Sequence, residues 1–312
     1  MAFTAVDVKN LRELTGVGMM DCKKALTESD GDVDKAIDWL REKGLAAAQK
    51  KAGRIAAEGV ALAVVINGVG VIVEVNAETD FVAKNEKFID FVKGVAQAVA
   101  QSRPSDVEAL LAAEYPGAGK TVQEQLQEMI LVIGENLAVR RFAIYTTGIS
   151  IPYVHAGGKI GVIVNLAVDG ISNDDAIVEL GKDLAMQVAA MRPTYLVPED
   201  VGTGEIDKER EIQLGLALEE NRAKGLPEDK SLQIAQKKVD GRIAKFYEEI
   251  CLLSQPFVKE NKISVGKHVQ QVANELGGSI TVTAFTRYEK GEGIEKKQED
   301  FAAEIAKLTE SK

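Results

Sequence analysis

Two carboxylates and an aromatic ring stand close together in the first half of the chain: Glu78, Asp80 and Phe81. They follow a Val/Ile-rich run and precede a helical pattern, so the sequence predicts a strand-to-helix junction here. In one interpretation, Thr79 or Asp80 caps the helix and Phe81 closes the local core. In the other, the ring and its acidic neighbour project and enter a partner's cleft, as aromatic hot-spot residues do.

Other residue patterns that could support catalysis or metal binding are weak. The segment Gly117–Thr121, GAGKT, resembles the end of a phosphate-binding loop, but Glu114 stands where that pattern needs glycine. Nucleotide hydrolysis that depends on Lys120 would revive an enzymatic alternative. The chain has two histidines, His155 and His268, and two distant cysteines. We therefore expect no metal site, cofactor or catalytic residue.

Charge and composition exclude further classes of function. Lys and Arg number 38 against 48 Asp and Glu, a net charge of −10, which argues against direct nucleic-acid binding. No apolar run approaches the roughly 18 residues of a membrane span. Neither a secretory signal nor a disulfide framework is apparent, so we expect a cytoplasmic protein.

The elements that must position these residues are repeated. The segment GVIV occurs at 70–73 and again at 161–164, and a helix-like run ending in Arg-Pro follows each copy, at 103–104 and 192–193. Each copy reads as strand, strand, helix, helix, strand. Helices covering one face of an antiparallel sheet give an α+β fold. The second copy has no counterpart of Phe81, so the fold itself does not need that ring.

A helical hairpin is predicted as an insertion in the second copy, at about 200–255. Its second helix shows heptad spacing and its first carries further apolar residues. The residues expected along this coiled-coil seam are Leu232, Val239, Ile243, Phe246, Ile250 and Leu253, with Ile212, Leu216 and Leu218 opposite. The hairpin either folds onto its own protein or forms an exposed arm for dimerisation or partner binding.

The two ends of the chain are predicted to be helical. Three short helices occupy the N-terminus, with Asp32 capping a third helix that stops at Gly44. At the other end, Phe301, Ile305 and Leu308 share one side of a charged helix. We therefore expect a three-helix module with its linker, two core copies and a C-terminal helical module. Their predicted ranges are 1–54, 55–148, 149–290 and 291–312.

Two long segments resemble the elongation factor Ts family. They are Leu11–Leu26, LRELTGVGMMDCKKAL, and Glu74–Asn85, EVNAETDFVAKN. The resemblance covers essentially the whole chain. It implies a guanine-nucleotide exchange factor that binds elongation factor Tu, both GDP-bound and nucleotide-free, and makes or breaks no chemical bond. It also implies that the first module is ubiquitin-associated-like, and that the hairpin could support a homodimer, as it does in some members.

The resemblance further implies roles for individual residues. The segment intruding beside the partner's magnesium and phosphate site would comprise Thr79, Asp80, Phe81 and Val82. Contacts elsewhere on the partner would be made by Arg12, Met19, Met20, Lys23, His155 and, in the hairpin, Val239.

Overall fold

The computed structural model describes residues 3–295, which divide into two compact units. The first contains residues 3–144, 154–161 and 288–295, and the second contains residues 145–153 and 162–287. The helix predicted around Phe301, Ile305 and Leu308 lies outside the described residues.

The helices and strands of the chain fall into two series, one on either side of residue 145. The series up to residue 145 comprises α1 (Ala5–Thr15), α2 (Met19–Glu28), α3 (Val33–Lys51), β1 (Glu58–Ile66), β2 (Val69–Ala77), α4 (Asp80–Ala83), α5 (Glu86–Ser102), α6 (Val107–Ala112), β3 (Glu114–Tyr115), β4 (Lys120–Thr121), α7 (Val122–Ile133) and β5 (Leu137–Tyr145). The remaining series comprises β6 (Ile149–His155), β7 (Ile160–Asp169), α8 (Asp174–Met191), α9 (Thr203–Ala223), α10 (Glu228–Ile250), β8 (Pro256–Phe257), β9 (Glu260–Ser264), α11 (Val265–Leu276) and β10 (Ser279–Glu289).

The N-terminal module consists of α1, α2 and α3 around a small core. Thr4 begins α1 with a capping box, and the predicted cap at Asp32 is confirmed, since its carboxylate accepts from the N–H of Lys35 at 3.1 Å. The buried side chains of this core are Val8, Leu11, Val17, Cys22, Ala25, Leu26, Ala36 and Leu40.

The predicted end of the third helix at Gly44 is wrong, because α3 continues to Lys51. The helix packs against α7 at this point. A Cβ atom on Gly44 would lie 3.4 Å from the carbonyl oxygen of Gln127. A Cβ atom at that distance would make an ordinary van der Waals contact, so the glycine lies inside the interface with α7 and does not terminate α3.

The first sheet has the strand order β1-β2-β5, so β2 lies in its centre. Strands β1 and β2 form an antiparallel hairpin whose register runs from Glu58–Ala77 to Ile66–Val69. Helix α5 packs on both strands. Its fully buried Phe88, Val95 and Val99 supply apolar surface to the core beneath the sheet.

The second sheet has the order β10-β7-β6, which reproduces the first: a strand pair, with the last strand of the copy beside the second of the pair. This arrangement confirms the predicted α+β class with a duplicated core. The two copies differ at the end of the central strand. In the first copy β2 leads into the short helix α4, whereas β7 is followed by Gly170 and a loop in which Asn173 caps α8.

The predicted hairpin is present as α9 and α10, which pack on each other. Its predicted seam is only partly right. Val239 and Ile243 are buried, but Leu232, Ile212 and Leu216 are exposed. Small and polar residues take their places between the helices, namely Ala217, Asn221, Ser231 and Ala235. Asn221 donates to the carbonyl oxygen of Ser231 at 2.9 Å, so a hydrogen bond replaces apolar packing near the turn.

Candidate partner-binding site

A one-turn helix carries the predicted partner-binding residues, and we refer to residues 79–82 as the tip segment. Thr79 is the N-cap of α4, and its hydroxyl accepts from the N–H of Val82 at 3.4 Å. The cap confirms one part of the first interpretation. Phe81, however, does not close the core. It is 80% exposed, the highest exposure of any large apolar side chain among residues 3–295.

Asp80, beside that ring, carries a half-exposed carboxylate. Lys84 donates to its Oδ2 at 2.8 Å from the next turn of the chain. This hydrogen bond and the positive charge of Lys84 hold the pKa of Asp80 below its ordinary value of 3.8. At neutral pH the tip segment therefore presents a negative charge next to an exposed aromatic ring.

Two carboxylates from adjacent junctions hold the base of the tip segment. Glu135 precedes β5 and accepts from both the N–H of Thr79 at 3.0 Å and its hydroxyl at 2.7 Å. In the opposite direction, Glu78, directly after β2, accepts from the N–H of Asn136, which precedes β5, at 2.6 Å. The end of β2 and the start of β5 are thus joined by side-chain bonds beyond their paired strands.

A buried carboxylate lies within β2, four residues before Glu78. Glu74 on β2 is fully buried and accepts from Arg140 Nη1 at 3.0 Å, Arg141 Nε at 2.5 Å and the N–H of Gly291 at 2.8 Å. Burial opposes ionisation of Glu74, but these donors outweigh it and lower its pKa below the ordinary value of 4.5. The network ties the chain that follows β10 to the first sheet.

The N-terminal module displays its four predicted contact residues on its surface. Arg12, Met19, Met20 and Lys23 are all exposed, and Met20 is 74% exposed. The turn between α1 and α2 lies beside α5, since a Cβ atom on Gly16 would be 3.3 Å from Lys87 Nζ. Because α5 follows the tip segment directly, this turn and the tip segment lie near the same end of α5.

The remaining predicted contact residues fall into two groups. His155 ends β6 and is exposed. Val82 and Val239 are buried within the protein's own packing. Their direct contacts with a partner stay predictions. Val82 anchors the tip segment in the core, and Val239 joins α10 to α9.

The weaker candidates of the sequence make contacts within the described part of the chain. Lys120 of the GAGKT segment pairs with Glu128 at 2.5 Å, and His268 stacks on Phe257 at 4.1 Å. Within residues 3–295, no group of three or more His, Cys, Asp or Glu side chains is arranged to hold a metal ion. Nor does any described helix combine the length and apolar character that crossing a membrane requires.

Three residues that organise this region were not predicted from the sequence as a network: Glu74, Glu78 and Glu135. Glu78 was recognised only as an acid near Phe81. Glu135 lies 56 positions from its partner Thr79, and no local pattern predicts such a pair. The sequence predicted the order of the strands along the chain but not that the end of β2 lies beside the start of β5.

Comparison with known proteins identifies the family of this chain. A family model described as Elongation factor TS matches residues 78–292. Proteins named Elongation factor Ts are similar along almost their whole length. One from Clostridium perfringens strain SM101 is 50% identical over 309 residues, covering 98% of each chain. One from Trichlorobacter lovleyi is 49% identical over 313 residues, again covering 98% of each. One from Magnetococcus marinus is 45% identical over 312 residues, covering 99% of this chain and 100% of the relative.

These similarities place the chain among the translation elongation factors. Within that class, it belongs to the elongation factor Ts family.

Proposed function

We propose that this protein is a guanine-nucleotide exchange factor for elongation factor Tu, and that it promotes GDP release by inserting Asp80 and Phe81 beside the partner's magnesium and phosphate site. It binds the GDP-bound and the nucleotide-free forms and makes or breaks no chemical bond. The observation that carries the proposal is the 80% exposure of Phe81 on a turn whose neighbours, Val82 and Ala83, are buried.

Exchange needs differential affinity and no catalytic acid or base. If this protein weakens GDP binding by some factor, GDP weakens this protein's binding by the same factor. A GTPase holds its nucleotide by backbone amides, a lysine and Mg²⁺, all of which depend on geometry. Displacing such groups by about 1 Å removes much of their contribution. Insertion of a ring into that site therefore lowers the affinity for GDP.

The two side chains of the tip segment supply different parts of this effect. Phe81 contributes apolar surface that is exposed in the free protein and becomes buried in the complex. Asp80 is ionised at neutral pH, as its lowered pKa requires. Its negative charge repels the phosphates and competes for the magnesium ion. Thr79 and Val82 complete the partner-binding segment, and they also hold these two side chains in place from either end.

Binding energy for the insertion comes from surfaces outside the tip segment. We assign the N-terminal contact to Arg12, Met19, Met20 and Lys23, and a further contact to His155. The exposed methionines suit this role because their flexible side chains adapt to a partner's surface. A contact in the hairpin is assigned to Val239.

Release of a fluorescent GDP analogue from elongation factor Tu, followed by stopped flow, tests the proposal. Burying a phenylalanine side chain is worth about 1.5–3 kcal/mol. We therefore expect Phe81→Ala to slow maximal release about 10- to 100-fold. Its free energy of unfolding should change by only about 0.5 kcal/mol, because the ring is exposed. Val65→Ala, an exposed apolar site on β1, is the matched control. Unchanged acceleration by Phe81→Ala would refute the insertion.

Self-association through the hairpin is a separate part of the proposal. Ile212 and Leu216 lie one helical turn apart on α9, and both are about half exposed, at 48% and 47%. A second copy of the chain would cover this apolar pair.

We also propose that the functional modules are the four ranges expected from the sequence, 1–54, 55–148, 149–290 and 291–312.

A further inference from the structure

We propose that Glu135 is a positioning residue for nucleotide exchange: it holds the tip segment in the orientation that insertion requires, without touching the partner's nucleotide site. This inference rests on the exchange function proposed above. It follows from the hydrogen bonds that join the loop before β5 to the base of α4.

The first observation is the double contact between Glu135 and Thr79. One carboxylate oxygen accepts from the Thr79 N–H at 3.0 Å, and the other accepts from the Thr79 hydroxyl at 2.7 Å. The same hydroxyl accepts from the N–H of Val82 at 3.4 Å. Glu135 therefore fixes both the backbone and the side-chain rotamer of the residue that caps α4. Phe81 lies two residues beyond this cap.

The second observation is that the contact is reciprocal. Glu78 accepts from the N–H of Asn136 at 2.6 Å, while Asn136 donates through its side chain to the carbonyl oxygen of Arg54 at 2.7 Å. Each junction thus supplies a carboxylate to an N–H group of the other. Strands β2 and β5 are neighbours in the sheet, so this pair of bonds prolongs their pairing up to the tip segment.

The tip segment needs these hydrogen bonds because its own helix and packing contacts stabilise it only weakly. Helix α4 has four residues, fewer than an isolated helix needs for stability. The exposed ring of Phe81 makes little packing contact that would fix its direction. The buried Val82 and Ala83 anchor one side of the turn, and Glu135 holds the other at Thr79. Loss of that hold frees the turn to rotate while the core stays intact.

The chain contains a matched internal control. Glu124 accepts from the N–H of Thr121 at 2.7 Å and from its hydroxyl at 3.1 Å, in the capping box of α7. These are the same chemical groups as in the Glu135–Thr79 pair. They differ in position, since Thr121 caps α7 whereas Thr79 caps the tip segment. Glu124 is exposed and local to its threonine, whereas Glu135 is partly buried and distant in sequence, so Glu124→Ala controls for the loss of a threonine–carboxylate cap and Glu135→Gln controls for stability.

The experiment compares Glu135→Ala, Glu135→Gln and Glu124→Ala in the full-length chain. GDP release from elongation factor Tu is measured over a range of factor concentrations. This separates the maximal release rate from the half-saturating concentration. We expect Glu135→Ala to lower the maximal rate about 10- to 100-fold, as misplacement of a positioned group does. The half-saturating concentration should change less than about threefold, because the other contact surfaces remain.

The conservative variant Glu135→Gln distinguishes a positioning role of Glu135 from a general contribution to stability. Glu135→Gln keeps one carbonyl oxygen that accepts from Thr79, so its maximal rate should fall only about threefold. Glu124→Ala should leave the maximal rate within about twofold of the parent. An unchanged maximal rate for Glu135→Ala overturns the inference, as does an equal fall for Glu124→Ala. If Glu135→Ala does not fold, Glu135→Gln decides alone, and an unreduced maximal rate overturns the inference.

Including Phe81→Ala in the same series separates the two proposals. A normal rate for Phe81→Ala refutes the insertion mechanism itself. A slow Phe81→Ala together with a normal Glu135→Ala leaves the exchange function standing and removes only the positioning role of Glu135.

Discussion

Replacement of Glu74 by glutamine tests how the first sheet holds the chain that follows β10. The glutamine side chain has nearly the same size and removes the negative charge. Arg140, Arg141 and the N–H of Gly291 then lose the anionic acceptor at which they converge. An amide group in the same position also brings its own N–H donors towards these donors. We expect the substitution to destabilise the first unit.

The magnitude follows from the burial of the partners. Breaking a fully buried ion pair from one side costs about 3–5 kcal/mol. Glu74 is fully buried, but the side chains of Arg140 and Arg141 are 28% and 32% exposed. They recover part of their hydration once the carboxylate is gone. We therefore expect Glu74→Gln to lower the free energy of unfolding by about 2–4 kcal/mol at pH 7.

The dependence on pH gives an independent check. The pKa of Glu74 in the folded protein lies below its ordinary value of 4.5. Its contribution to stability is complete above about pH 4.5 and disappears as the pH falls through the lower folded value. The difference between the parent and Glu74→Gln should therefore be constant from pH 7 to pH 5 and shrink in more acidic solution.

Urea unfolding, followed by circular dichroism and by the fluorescence of Trp39, measures this difference. Glu13→Gln is the control, because its ion pair with Lys9 is exposed and should be worth less than about 1 kcal/mol. Equal stability of Glu74→Gln and the parent at pH 7 would refute the reasoning. A difference of the same size at pH 3 and pH 7 would show that charge is not its cause.

Two further predictions concern the first hairpin and the helical arm. Gly59→Ala should destabilise the protein by about 3 kcal/mol or more, since its Cβ would lie 2.2 Å from the carbonyl oxygen of Val75. Gly68→Ala also changes a glycine with positive φ, +79° against +128° at Gly59, but in open space, and should cost about 1–2 kcal/mol in the same urea titration. Replacement of Ile212 and Leu216 by aspartate should shift sedimentation from dimer to monomer without loss of helical circular dichroism, and a monomeric parent would contradict self-association through this surface.

The sequence predicted the features that depend on local pattern. The repeated GVIV segments became the central strands of two sheets with matching order, because alternation and repetition are local signals. The cap of α4 and the cap at Asp32 followed from side-chain chemistry within three residues. The exposure of Phe81 was left open between two alternatives, since a strand-to-helix junction accommodates a ring on either side.

Features that depend on distant packing were missed or predicted wrongly. Gly44 terminates no helix, because α3 continues to Lys51 along its packing on α7, and the sequence gives no sign of that contact. Leu232 was placed in the hairpin seam by heptad spacing, but Asn221 and Ala235 take the interior instead. The Glu135–Thr79 pair spans 56 positions, so only the assembled sheet brings these residues together.

The position of β2 in the middle of its sheet has a mechanical consequence. The tip segment continues directly from a strand that is hydrogen-bonded on both flanks, and a push on the Phe81 ring is transmitted along that strand. Such a load shears two rows of hydrogen bonds at once, whereas at an edge strand it would act on one row. In the proposed insertion, the ring is therefore mounted on a support that resists displacement along the strand.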